Sequence, residues 1–155
     1  MNSCYGIRFT CGANHLMDLV PSKSLKRRYN LQGEVSADFA FDDGVLRVET
    51  APGFLFDGRS GPFIIDWYAP NLGSLDERAL WWMHDCLGYG QSLDFWHTNR
   101  ALRLGLRDQA GYNPAKAWTI ERAVSISKSW YGTPKPDDWC YNNITKVSTL
   151  WIPAA

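Results

Sequence analysis

The four residues Ser74-Leu75-Asp76-Glu77 constrain this chain more than any others, because they spell an N-terminal capping box for a helix. In such a box the serine hydroxyl serves one orphan N–H of the first turn and the glutamate reaches back to another. The helix is then expected to run from residue 75 to residue 86 or 87, with Gly88 free to take the left-handed conformation that ends many helices. At 3.6 residues per turn, Leu75, Ala79, Trp82, Met83 and Cys86 share one face, Leu80 and Leu87 widen it, and Trp81 lies nearly opposite. A helix apolar on so many sides belongs inside the protein. His84 and Asp85 ride on it, so both are expected to be buried and to need partners.

The chain before this helix reads as strand. Asp43-Gly44 is a favoured pair for a two-residue type I′ turn, and it separates two alternating stretches, residues 31–42 and 45–50. That register sets Phe41 opposite Leu46 and Phe39 opposite Val48 on one face. On the other it sets Asp38 opposite Glu49, a like-charge conflict that Arg47 would have to relieve. Pro52-Gly53 predicts a tight turn and residues 54–56 a third short strand. After the capped helix, Ser92 is a candidate cap for a helix over about residues 93–107, in which Phe95, Asn99, Leu102 and Leu106 form one stripe. Arg100, Arg103 and Arg107 form the opposite, basic one. Asn113-Pro114 opens a third helix that buries Ala117, Ile120 and Val124. The fold class expected is therefore α+β, a small antiparallel sheet from the N-terminal half packed on about three helices.

One segment carries a resemblance. Ala51-Pro52-Gly53-Phe54, then Asp57-x-x-Ser60-x-Pro62, then His84-Asp85, then Asn99, resembles a family of unknown function common in bacteriophages and prophages. The resemblance covers residues 29–132 and implies a phage origin. It implies no reaction. Where this chain has Asn99, family members usually carry aspartate. On this basis the chain divides into an N-terminal extension (1–28), a family-like domain (29–132) and a C-terminal tail (133–155), which opens with a Pro-rich stretch that cannot be helical and continues in residues 141–152, readable as an edge strand returning to the sheet or as a segment lying on another subunit.

Composition narrows the function classes. Lysine and arginine balance aspartate and glutamate, 16 against 16, so no overall field recruits nucleic acid or anionic lipid. Residues 22–28 gather four positive charges, readable as a phosphate or acidic-partner contact or simply as a solvated connection. Cys4, Cys11, Cys86 and Cys140 make no close pair of the kind that holds zinc, and Cys86 on the core face is expected to be a reduced thiol. No apolar run is long enough to span a bilayer, and a soluble protein of the host cytoplasm, later of the virion, is expected. Eight tryptophans suggest thick aromatic packing or a patch awaiting a partner.

Asp57, Ser60, His84, Asp85 and Asn99 make up the candidate catalytic cluster. One chemical reading is a divalent metal held by Asp57 and His84, with or without Asp85, that activates water. A second is a Ser60–His84–Asp57 hydrolase, although Ser60 lacks the glycine pattern of a nucleophile elbow. The third is a hydrogen-bond network with no substrate. No cofactor is required outside the metal reading. Two functions follow from different classes. The first is a virion-associated or assembly protein that contacts other phage structural proteins, or itself, through its terminal segments, with Trp139, Trp151 and Ile152 as anchors. The second is a small phage hydrolase directed at cell wall or nucleotide.

Overall fold

A computed structural model of the chain describes residues 1–23, 28–58, 73–127 and 139–155. Two antiparallel sheets and a stack of helices make an α+β fold, as the sequence pattern implies. In chain order the elements are β1 (Cys4–Cys11), α1 (Ala13–Met17), β2 (Val20–Pro21), β3 (Tyr29–Asn30), β4 (Val35–Phe41), β5 (Gly44–Thr50) and β6 (Leu55–Phe56). There follow α2 (Leu75–Gly90), α3 (Phe95–Asp108), α4 (Pro114–Ser127), α5 (Trp139–Ile144) and β7 (Val147–Pro153). The larger sheet has the order β1-β4-β5-β7 and the smaller β2-β3-β6.

The central hairpin forms, in a register two residues from the expected one. Phe39 pairs with Leu46, Ala37 with Val48 and Phe41 with Gly44. Asp42 and Asp43 therefore make the turn, neither has positive φ, and the turn is not type I′. Gly44 has a different purpose. A Cβ there would lie 2.6 Å from the Ile152 carbonyl oxygen and 2.6 Å from the Trp151 ring, so the glycine leaves room for β7 rather than bending the chain. The shift also removes the like-charge conflict, because Asp38 faces Arg47 and takes two hydrogen bonds from its guanidinium, at 3.0 and 3.3 Å.

The inner face of the larger sheet presents Val35, Ala37, Phe39, Phe41, Leu46 and Val48, all buried, to α2. Phe39 meets Trp82 at a ring separation of 6.4 Å. Burying valine, leucine and phenylalanine side chains here contributes about 1.5–3 kcal/mol each. Ser74 caps α2, accepting from the Glu77 N–H at 3.3 Å, but only half of the expected box closes: the Glu77 carboxylate takes the Tyr112 hydroxyl instead. α2 runs three residues beyond the expected stop, since Gly88 stays helical and Gln91 adopts the left-handed cap at φ 54°. The next helix starts later than expected, with Asp94 rather than Ser92 as its cap. Asn113 caps α4 at 2.8 Å as the sequence indicates.

The terminal segments are part of this architecture. β1 pairs with β4, and its first residue is gripped by α3, with Cys4 N–H on Asp108 at 2.8 Å and the Gln109 amide on the Cys4 carbonyl at 2.8 Å. β7 pairs with β5 along its whole length. The described parts of segments 1–28 and 133–155 are thus strands and two short helices of the same fold, not free extensions. Among the described residues no helix is long and apolar enough to cross a membrane.

Candidate functional site

The polar residues singled out by the sequence fall into two separate sets, divided by the direction in which α2 points them. Neighbours on a helix diverge by about 100°, and His84 and Asp85 do so here.

Asp85, only 2% exposed, faces the end of the smaller sheet. Its Oδ2 accepts the backbone N–H of Asp57 at 2.8 Å, just after β6 ends. The Asp57 carboxylate pairs in turn with the Arg28 guanidinium at 2.6 Å, at the approach to β3. A buried carboxylate that accepts a backbone N–H, with an ion pair alongside, fastens a strand end to a helix. Neither carboxylate is free.

His84 faces the other way, into the α2–α3–α4 layer. Its Nε2 lies 2.7 Å from Asn99 Oδ1, the Asn99 amide nitrogen donates to Ser125 Oγ at 3.2 Å, and the Ser125 hydroxyl donates to the Glu121 carbonyl at 2.7 Å. Read from its far end, this chain fixes every proton. Ser125 spends its hydrogen on the backbone, so it accepts from Asn99; Asn99 must then offer its oxygen to His84, which carries its proton on Nε2. Burial pushes the His84 pKa down, and the Asn99 hydrogen bond pulls more weakly the other way. The ring is therefore neutral at pH 7, with an unprotonated Nδ1. One turn further along, Arg103 pairs with Glu121, continuing the antiparallel match of α3 and α4.

Among the described residues His84 bonds to Asn99 and not to Asp57, so the expected meeting of those two does not occur. Ser60 lies outside the described residues. No group of three or more His, Cys, Asp or Glu residues that could hold a metal ion is found among the described residues, so the Asp57–His84–Asp85 set is not assembled there. Cys86 is a free, buried thiol, with its pKa pushed well above the usual value by burial.

The anchor residues also divide. Trp151 points inward, its ring 6.1 Å from that of Phe41, and belongs to the core rather than to an outer surface. Ile152 points outward, as strand alternation requires, and so does Leu150. The Trp139 side chain lies outside what is described.

Sequence reasoning missed three participants. Arg28 was visible only as the last member of a basic run, and nothing local tied it to Asp57. Ser125 becomes relevant only once the register of α3 on α4 is known. Asn143, fully buried, holds β6 with both ends of its amide: it accepts from Leu55 N–H at 2.8 Å and donates to the Leu55 carbonyl at 2.9 Å.

Compared with known protein families, curated proteins and solved structures, the chain matches none.

Proposed function

We propose that this chain is an assembly protein of a bacteriophage particle, binding other particle proteins through the β7 edge of its larger sheet. The observation that carries the reading is the character of that edge. β7 is seven residues long, contains no charged residue and turns Leu150 and Ile152 outward, 53% and 38% exposed. Among the described residues no strand pairs with its outer side. Edge strands of isolated proteins are commonly blunted with charge or kept short, because their open N–H and C=O groups invite another strand. An edge with neither protection suits the addition of an extended segment from a partner protein, with backbone hydrogen bonds supplying affinity and Leu150 and Ile152 filling pockets in the partner. The resemblance to a phage family supports the choice of partner class. The terminal segments keep the role expected of them, but as sheet edges rather than as free arms.

The test is co-sedimentation of purified chain with phage particles assembled without it. Leu150→Lys with Ile152→Lys should abolish binding while leaving the far-ultraviolet circular dichroism nearly unchanged, since both side chains lie on the outer face of the sheet and outside the core. Binding that survives the double substitution would reject the edge as the docking surface.

A second reading is favoured by one observation, the neutral His84 with its proton held on Nε2. Such a ring can take a proton on Nδ1, which is what a hydrolase acting on cell wall or nucleotide would ask of it. Turnover of either substrate class that disappears in His84→Ala and persists in Leu150→Lys would establish that reading in place of the first.

A further inference from the structure

A cleft of about 720 Å³ opens on the side of the protein where the smaller sheet meets the end of α5. Its walls come from Val20, Pro21, Ser22 and Lys23 at β2, Asn30 and Gln32 at β3, Gly53 and Leu55, and from Asn142 and Lys146 on the far side. The volume is that of an ordinary small-molecule site. Its charge is one-sided: among the described residues two ammonium groups and no carboxylate line it. The chain as a whole carries no net charge, and outside the cleft Arg28, Arg47, Arg103 and Arg107 pair with carboxylates. Among the described residues Lys23 and Lys146 pair with none. Lys146 bonds to neutral oxygens alone, the Asn142 carbonyl at 3.4 Å and its side-chain Oδ1 at 2.5 Å.

The local structure holds the second lysine in place. Gly53 has φ +88°, and a Cβ there would come within 3.2 Å of Lys146 Cε, so the glycine both makes the turn and lets the lysine stem lie across it. The Lys146 carbonyl accepts from Ala51 N–H at 2.8 Å, and the buried Asn143 amide locks α5 to β6 behind it. The wall carrying Lys146 is therefore pinned at three points before any ligand arrives, which lowers the ordering cost of binding.

We propose that this cleft binds a small phosphate monoester. Two ammonium groups match the charge of a phosphate dianion, and as compact point charges they suit its tetrahedral oxygens. The Asn30, Gln32 and Asn142 amides offer hydrogen bonds to a polar body, and Val20, Pro21 and Leu55 a limited apolar contact. None of these residues belongs to the His84 network or to the outer face of β7.

The proposal is tested by following backbone amide resonances during titration with glycerol phosphate, inorganic phosphate, acetate and a short single-stranded DNA. Glycerol phosphate should give saturable shifts centred on Gly53, Asn142 and Lys146, inorganic phosphate the same shifts at higher concentration, and acetate none. Lys23→Gln and Lys146→Gln should each weaken binding at least tenfold. Lys23 is exposed, so its variant keeps the fold even if that of Lys146 does not. No saturable shift with glycerol phosphate, equal response to acetate, binding of the DNA alone, or unchanged affinity in Lys23→Gln would each overturn the assignment.

Discussion

His84 sits in a chain of hydrogen bonds that has room for one proton arrangement, and this couples the residue to acid stability. Burial sets its folded pKa below the ordinary 6.5. Above that ordinary value both folded and unfolded chains hold the ring neutral, and the stabilising contribution is complete. As pH falls through 6.5 towards the folded value, the unfolded chain takes up a proton that the folded protein resists, so stability declines and then levels off. The melting temperature of the wild type should therefore fall between about pH 7.5 and pH 5 more steeply than that of His84→Gln, which cannot titrate. Parallel curves would show that the ring protonates freely in the fold. At pH 7.5, His84→Ala should cost about 1–3 kcal/mol by denaturant unfolding, because Asn99 Oδ1 is left without its donor. At this scale the sequence was informative about enclosure, since the apolar surroundings read from helical periodicity leave Asp85 and Asn99 buried, while His84, expected to be buried too, is half-buried. The sequence was silent about who bonds to whom. His84 finds Asn99 and Asp85 finds the Asp57 backbone because α2 aims them at different layers, and that depends on which layer lies on each side.

Elements were legible where a local chemical signal fixes them. The Ser74 cap, the Asn113-Pro114 start and the Pro52-Gly53 turn are each decided within four residues, and each lies where the sequence places it. The hairpin register was not decided locally. Gly44 reads as a turn residue in isolation, and only the Trp151 ring packed against it shows why a glycine is needed in the strand. α5 depends on a single side chain in a similar way. It is short, and its tie to β6 is the two-ended Asn143 amide. Asn143→Ala would leave the half-buried Leu55 N–H and carbonyl without their partner, at a cost of about 1–3 kcal/mol. Hydrogen exchange should report this loss first at Leu55 and along α5, ahead of β4 and β5. Uniform loss of protection across both sheets would show that α5 is not a separable unit.

At the scale of the whole molecule, the larger sheet is built from sequence-distant parts, with its hairpin in the middle and its two outer strands drawn from opposite ends of the chain. Periodicity could not reveal this, because pairing between remote strands leaves no local mark. Removing residues 147–155 should therefore do more than trim a tail. It would uncover Leu46 and Val48 and take Trp151 from Phe41, and the shortened protein should lose cooperative thermal unfolding; a sharp transition within a few degrees of the full chain would contradict the role given to β7. The same arrangement bears on how the protein is made. β5 leaves the ribosome roughly a hundred residues before the strand that completes it, since Leu46 must wait for Trp151. At synthesis rates of about 5–20 residues per second, the nascent hairpin carries an open apolar flank for on the order of 5–20 s. Through that interval the growing chain is a natural client for ribosome-associated chaperones, and its yield should depend on them more than its final stability would indicate.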